Sequence, residues 1–319
     1  MITINPNSPE IRLLLDQYYT YLFKFLIEAV PNKASKIDRL ISKQENSVHG
    51  KQLIFYKNEL PRIIKCLPTD LKKLNAEMLN HIGTVTENKD LEAFRFDMKN
   101  LYGDFIYSKI EGTEISVGRW LTGKLDLWVC PYCNHNYTLT VNEGGKGFRP
   151  DFDHFLPKSK YPLFALSFFN LIPSCTTCNK VKGDKEIFHN PYDLSAKLTF
   201  EIGVLDDENN EVLIGLADTR KQLSISQKTN YSTMNPITCN VNVLMLKEVY
   251  DHHIDYVNDI LDKAQEYNSG HYEGIIQSFQ GLGKTPGEID RIVWSVYKDH
   301  PAKRPLSKLT FDVLKQIGL

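Results

Sequence analysis

The strongest constraint in this sequence is a set of four cysteines in two pairs, Cys130 with Cys133 and Cys175 with Cys178. Four thiolates are the number that a tetrahedral structural zinc requires, and two CxxC pairs together are far more specific than one. We therefore expect one structural Zn²⁺ bound by all four side chains. A closed four-thiolate site has no open coordination position, so this zinc is not expected to do chemistry itself.

The cysteine pattern leaves an insert and two further thiols to explain. The segment between the pairs, residues 134–174, is longer than the connection in a simple zinc ribbon. The metal is therefore expected to clamp the ends of an inserted element. Cys66 lies in a helical pattern and Cys239 precedes an amphipathic helix, so both are predicted to be structural. A redox role for the pairs is the less favoured alternative, because no thioredoxin-like βαβ pattern surrounds them.

Composition excludes several classes of protein. The chain has 319 residues, a net charge of −1 and a pI near 6.8, which argues against coating nucleic acid through bulk charge. The N-terminus lacks the basic and apolar regions of a signal peptide, and no apolar run approaches the roughly 18 residues of a membrane span. We expect a soluble, cytoplasmic protein without a membrane partner.

Hydrophobic periodicity predicts an α+β chain with mainly helical ends around a small zinc-stabilised module. The predicted domains are a helical region at 1–125, a module at 126–195, and a β-hairpin plus helical region at 196–319. Ser8 and Pro9 have the residue types of an N-cap and a first helical position. The predicted elements are helices from Ser8 and near 33–44, 50–66 (with a split at Pro61), 69–81, 90–110, 176–183, 241–267, 286–298 and 305–316; strands at 127–133, 137–141 and 148–156; and hairpins around 144–147 and 198–216.

Between the cysteine pairs, Asp153 and His154 are adjacent, and Asn179 directly follows Cys178. Neighbouring side chains on a strand point to opposite faces, so Asp153 and His154 can share one site only at a strand end or bulge. Carboxylate and amide oxygens suit Mg²⁺ or Mn²⁺, so we expect Asp153 and Asn179 to bind such an ion. A neutral histidine beside it is suited to act as a general base toward water.

Each of these residues also has a structural interpretation. Asp153 would cap a strand end, His154 would be a core histidine, and Asn179 would cap its helix. The frame of paired cysteines favours the functional interpretation, because an isolated Asp-His pair has no such context.

The segments DFDHFLPKS (151–159), FFNLIP (168–173) and CTTCNKVKGD (175–184), framed by CPYC (130–133), resemble the HNH, or ββα-metal, nuclease family. The resemblance covers about 65 residues and implies a two-stranded hairpin followed by one helix. It implies that Asp153 is a metal ligand and His154 the general base. It further implies that Asn170 holds the loop that orients His154, and that Asn179 is the second metal ligand, where other members carry His.

The longer arrangement, from CPYC through NPYD at 190–193, is similar to the nuclease subunit of Septu-type and related anti-phage systems. Those subunits work beside an ATPase, so the resemblance implies an ATPase partner for this chain.

Charge around the proposed site is positive in a chain that is nearly neutral. From 146 to 186, seven cations stand against four carboxylates, a balance of +3, as expected where phosphates bind. Together with this charge, the resemblance implies an HNH endonuclease that uses Mg²⁺ or Mn²⁺ and is the nuclease effector of a bacterial anti-phage system. DNA is favoured over RNA as the substrate, but the sequence leaves both open. The alternative is a catalytically silent zinc module that binds nucleic acid or a partner protein. The seven cations counted between residues 146 and 186 are Lys146, Arg149, Lys158, Lys160, Lys180, Lys182 and Lys185.

Overall fold

The structure is a computed structural model that describes residues 2–29, 31–44, 46–82, 88–205, 211–212, 221–229, 240–267, 269–298 and 300–319. The chain divides into two compact units. We call residues 4–127 and 138–194 the site unit, and residues 1–3, 128–137 and 195–319 the C-terminal unit. Helices combine with small antiparallel sheets in an α+β fold, as predicted.

Seven helices form the first part of the site unit. Ser8 caps the first one, since its side chain accepts from the Ile11 backbone N–H at 3.3 Å, and Pro9 is its first residue, both as predicted. The helix predicted at 50–66 is divided, with Glu59 between its two parts and Pro61 as the second residue of the later part. The helices are α1 (Pro9–Ile27), α2 (Lys36–Ile41), α3 (Val48–Asn58), α4 (Leu60–Ile64), α5 (Leu71–Ile82), α6 (Asn88–Tyr107) and α7 (Val117–Leu125).

Two short hairpins and one helix complete the site unit. Strands β1 (Val141–Glu143) and β2 (Lys146–Phe148) are joined by Gly144 and Gly145, both with positive φ, at the predicted turn. Strands β3 (Asp151–His154) and β4 (Leu171–Ser174) are antiparallel. The helix α8 (Thr176–Lys182) follows and ends at Gly183, whose φ of 51° fits the predicted C-cap.

The N-terminal helices pack against the loop that joins β3 to β4. The Tyr18 hydroxyl of α1 donates to the Leu166 carbonyl at 2.9 Å, and the Ser167 hydroxyl donates to the Ile63 carbonyl at 2.6 Å. The ring of Tyr18 meets Phe105 and Phe168 edge-on, and all three rings are buried. This core fixes the loop from both sides, because both hydrogen bonds are buried and join distant parts of the chain.

In its described residues, the C-terminal unit contains a three-stranded sheet and six α-helices. The sheet has β5 (Ala196–Leu205) in its centre, paired antiparallel with β6 (Glu211–Val212) and with β7 (Lys221–Thr229). The pairing of β5 with β6 corresponds to the predicted hairpin. β7 lies outside the predicted elements. The helices are α9 (Asn240–Val243), α10 (Leu246–Asp251), α11 (Ile254–Glu266), α12 (Ser269–Gly281), α13 (Pro286–Trp294) and α14 (Ser307–Gln316).

The prediction of one long helix at 241–267 is wrong. Met245 adopts a left-handed φ of 53° between α9 and α10, and His253 at φ −112° separates α10 from α11. The ring of His253 lies 4.8 Å from that of His135, and His253 is half-buried at this break. An apolar stripe records which residues are buried, and three short helices bury the same residues as one long helix.

The strands predicted at 127–133 and 137–141 are also wrong for most of their length. Val129 and Tyr137 form a single isolated bridge, and only Val141 of the second run belongs to a strand. Cys130 instead begins a turn, since its carbonyl accepts from the Asn134 N–H at 2.8 Å. The cysteine turn therefore overrides the strand propensity of the flanking residues.

Two predicted features, the acidic turn at 206–210 and the role of Cys239, lie outside the described residues. In the part of the chain that is described, no helix combines the length and apolar character needed to cross a membrane.

Candidate active site and cysteine cluster

The hairpin of β3 and β4 carries the centre of the candidate site. In its register Asp153 pairs with Ile172 and His154 with Leu171. His154 is the last residue of β3, so Asp153 and His154 lie at a strand end, one of the two positions at which adjacent side chains can share a site. α8 begins directly after β4, with Cys175 as its N-cap residue. The local order is therefore strand, loop, strand and helix.

Asn170 holds the ends of the loop between the strands together. Its Oδ1 accepts from the Leu156 N–H at 2.8 Å, and its Nδ2 donates to the carbonyls of Leu156 at 3.1 Å and Phe164 at 3.0 Å. The side chain is fully buried. Three hydrogen bonds from one buried amide fix both chain segments in place, because breaking any of them would leave a buried polar group unpaired.

His154 is buried beside this clamp, with 6% of its surface exposed. Its Nε2 lies 3.0 Å from the carbonyl oxygen of Ala165, the residue after Phe164. A carbonyl oxygen only accepts, so Nε2 is the protonated nitrogen and Nδ1 carries the lone pair of the neutral ring. Burial, and to a smaller extent the charge of Lys158, lowers the pKa of His154 to about 3. The ring is therefore neutral at pH 7, with its proton on Nε2.

The side chain of Asp153 forms an ion pair with Lys182, one of the seven cations predicted to face phosphates. The ammonium group of Lys182 donates to Oδ1 of Asp153 at 3.0 Å and to the His154 carbonyl at 2.7 Å. Both side chains of the ion pair are buried, that of Lys182 completely. Lys182 therefore does not present its charge to solvent, and its role lies inside the site. The NKVK sequence of α8 does not indicate that Lys182 is buried, because this burial depends on how α8 packs against β3.

Asn179 lies one helical turn before Lys182, and its Nδ2 donates to Oδ2 of Asp151 at 3.4 Å. Residues three apart share a face of a helix, and residues two apart share a face of a strand. Asn179 and Lys182 therefore meet Asp151 and Asp153 as two facing pairs. The observed partner of Asn179 is Asp151, which the sequence analysis did not single out.

The oxygens along this contact form a donor set that suits a hard divalent ion. Asp151 and Asp153 supply carboxylates, and Asn179 supplies an amide oxygen while donating through its nitrogen. An ion at Asp153 would share the carboxylate with Lys182 or displace its ammonium group. The donor types of these residues are those that Mg²⁺ or Mn²⁺ prefers, and Lys182 is a competing cation at Asp153.

The four predicted zinc ligands come together. The sulfur atoms of Cys130, Cys133, Cys175 and Cys178 all lie within 4.8 Å of one another, and all four residues are buried. Among the described residues, this is the one group of three or more His, Cys, Asp or Glu side chains whose ligand atoms converge in this way. Such a cluster can hold a metal ion, and soft thiolate donors in a set of four favour zinc.

The immediate surroundings of each cysteine pair orient its sulfur atoms. The Sγ of Cys133 accepts from the His135 N–H and that of Cys175 from the Cys178 N–H, each at 3.4 Å. The Tyr250 hydroxyl donates to the Cys133 carbonyl. Backbone N–H groups aimed at sulfur stabilise thiolates, the form that binds metal.

Comparison with models of protein families, with curated proteins and with solved structures found no match in any of the three.

Proposed function

We propose that this protein is an HNH-type endonuclease that hydrolyses phosphodiester bonds of nucleic acid with a divalent metal ion. The support is the combination of a strand-end Asp-His pair, a buried Asn clamp and a helix entered through a cysteine pair. The proposal assigns zinc to the cysteine cluster and Mg²⁺ or Mn²⁺ to Asp153 and Asn179, with Asp151 as an additional oxygen donor.

The observation that carries the proposal is the fixed tautomer of His154. Asn170 binds the Phe164 carbonyl, and the next carbonyl, that of Ala165, receives the Nε2 proton of His154. A general base needs a lone pair in a fixed direction and a neutral ring at the working pH.

The residues divide the reaction between them. His154 accepts a proton from water at Nδ1 as the water attacks the scissile phosphate. Asn170 and the Ala165 carbonyl keep the ring oriented during the transfer. When bound at Asp153 and Asn179, the divalent ion supplies charge neutralisation at the phosphate and stabilisation of the departing 3′ oxygen. Lys182 holds Asp153 and the His154 backbone in register.

The resemblance to Septu-type nuclease subunits supports a narrower proposal, that the substrate is DNA and that the protein is the effector of an anti-phage system beside an ATPase. Co-purification from the native host tests this part of the proposal. Recovery of the chain without any ATPase would contradict it.

The test of the proposed activity is cleavage of supercoiled plasmid with Mg²⁺ or Mn²⁺. His154→Ala removes the base but no metal ligand, so we expect nicking to fall by about 10²–10⁴-fold, the usual effect of a positioned general base. The matched control is His252→Ala, a change at an exposed histidine. Equal nicking by the two variants would mean that His154 is not the base.

The silent zinc module remains the second candidate, because Lys182 already neutralises Asp153. A silent module would bind nucleic acid but leave plasmid intact in either metal ion, and zinc removal would abolish the binding. Metal-dependent nicking that is lost in His154→Ala would exclude it.

A further inference from the structure

A strip of basic and aromatic side chains flanks His154 along α6. We call it the α6 strip; its residues are Lys99, Tyr102, Tyr107, Arg149 and Lys158. Tyr102 stands at its centre, with its ring packed edge-on against His154 at 4.7 Å. The strip belongs entirely to the site unit, and from Lys99 to Tyr107 it runs about 12 Å along the helix axis.

Lys158 and Arg149 each lie against aromatic rings of this region. The Lys158 ammonium group stands 4.7 Å above the Tyr102 ring, and the Arg149 guanidinium lies 5.8 Å from the ring of Tyr107 and 5.0 Å from that of Phe152. All three contacts are cation–π interactions, which hold a charge in place without neutralising it.

Arg149 is held in its position by the shape of α7. A side chain at Gly118 would approach the Arg149 Nε to 2.7 Å, so the guanidinium can cross the helix only because this residue is a glycine. Its Nη1 donates to the Pro150 carbonyl at 2.7 Å. The guanidinium is therefore preorganised directly before β3, which carries Asp153 and His154.

The other end of the strip contains like charges that repel each other. Partial burial, and next the charge of Lys99, lowers the pKa of Lys158, against the opposing effect of Asp153 and Asp184. A phosphate beside Lys99 and Lys158 would relieve this repulsion. Cations therefore lie against the rings of Tyr102 and Tyr107, where they are available to neutralise the phosphates of a bound strand.

Tyr107 indicates what kind of phosphate chain fits. Its side chain ends α6 with 72% of its surface exposed, next to the Arg149 guanidinium. An exposed ring beside a cation stacks on a base whose face is free, and in a duplex both faces of an internal base are already stacked. We propose that the α6 strip binds a single-stranded or locally unpaired segment of nucleic acid, with phosphates at Lys158 and Arg149 and a base on Tyr107. This inference rests on the proposed function.

Binding of labelled oligonucleotides is measured by fluorescence anisotropy in buffer without Mg²⁺ or Mn²⁺. The oligonucleotides are about 12 nucleotides long, which is within the range that one single-strand binding domain covers. The probes are oligo-dT, oligo-U and a DNA duplex of equal length. We expect both single strands to bind at least about 10-fold more tightly than the duplex. The tighter of the two single strands identifies DNA or RNA as the source of the ligand.

The variants test each contact separately. Tyr107→Ala is expected to weaken single-strand binding by about 5- to 100-fold, the value of one stacked base. Lys158→Gln and Arg149→Gln are each expected to make the dependence of log K on log salt shallower by about 0.7. The controls are Phe23→Ala, an exposed ring on α1, and Lys43→Gln, an exposed lysine. Strip variants that bind like these controls, or equal affinity for the duplex, would overturn the proposal.

His154→Ala separates this inference from the proposed activity, because it is tested for nicking while the strip variants are tested for binding. Normal binding by the strip variants together with loss of nicking in His154→Ala would refute the strip and leave the nuclease assignment standing. Loss of binding in the strip variants with normal nicking by His154→Ala would refute His154 as the general base and leave the strip standing.

Discussion

At the scale of single residues, Lys182 is the least expected member of the site. Lysine is rarely buried because its charge must leave water, and here a carboxylate and a backbone carbonyl take the place of water. The ammonium group sits where a divalent cation would bind Asp153. It holds the Asp153 carboxylate in its orientation through the buried ion pair.

Replacing Lys182 by Met should be strongly destabilising. The change leaves Asp153 buried without its counter-charge, so we expect the free energy of unfolding to fall by about 3–5 kcal/mol, measured by urea denaturation. Lys180→Met, at an exposed position of the same helix, is the control and should change stability little. A double variant with Asp153→Leu should recover part of the loss. A single variant as stable as the control would show that the ion pair is not needed for folding.

At the scale of elements, α8 depends on what holds its first turn. It has only 7 residues, too few for an isolated helix to be stable in water. Cys175 caps it and Cys178 lies in its first turn, so a metal ion in the cysteine cluster would anchor the end at which the helix begins. Asn179 and Lys182 lie on this helix, and their positions therefore depend on that anchor.

Cys175→Ser separates the metal from the helix cap. Serine is a good N-cap residue but a poor zinc ligand, so we expect bound zinc to drop from about one per chain and Tm to fall. Zinc content by elemental analysis and Tm by calorimetry measure the two effects. Cys66→Ser should keep the zinc, because burial raises the pKa of Cys66 to about 11 and the neutral thiol is no metal ligand. Full zinc content in Cys175→Ser would contradict the assignment.

At the scale of the whole molecule, the N-terminal helices do more than extend the chain. Residues 138–194, most of the predicted central module, belong to the same compact unit as these helices. Tyr18 and Tyr102, from α1 and α6, contact the loop and the histidine of the candidate site. Tertiary packing of the unit therefore positions the site, and the stability of the unit should govern it.

Acid should weaken this packing through buried histidines. Burial lowers the pKa of His189, against the opposing charge of Asp193. At mildly acidic pH the unfolded chain therefore binds a proton at this histidine and the folded chain does not. Stability is then complete above about pH 6.5 and falls as pH decreases below it, by at most about 1.4 kcal/mol per pH unit for one histidine. We expect His189→Gln to flatten the slope of unfolding free energy between pH 7 and 5. Exposed His252→Gln is the comparison, and equal slopes in both variants would rule out His189 as the source.

The sequence alone determined the features that depend on local chemistry. Ser8, Pro9 and Gly183 mark helix ends because capping involves only neighbouring backbone groups, and Gly144 and Gly145 mark a turn because few other residues adopt positive φ. The spacing of Cys130, Cys133, Cys175 and Cys178 indicated their cluster, because thiolates in this pattern share a ligand chemistry.

The tertiary structure decided what depends on contacts between distant segments. Lys182 was counted as a surface charge, since burial of an ammonium group requires knowing that α8 covers Asp153 on β3. The partner of Asn179 and the edge-on contact of Tyr102 with His154 likewise follow from packing. The breaks after Val243 and Asp251 were hidden because hydrophobic periodicity reports which residues are buried but not whether the backbone between them is continuous.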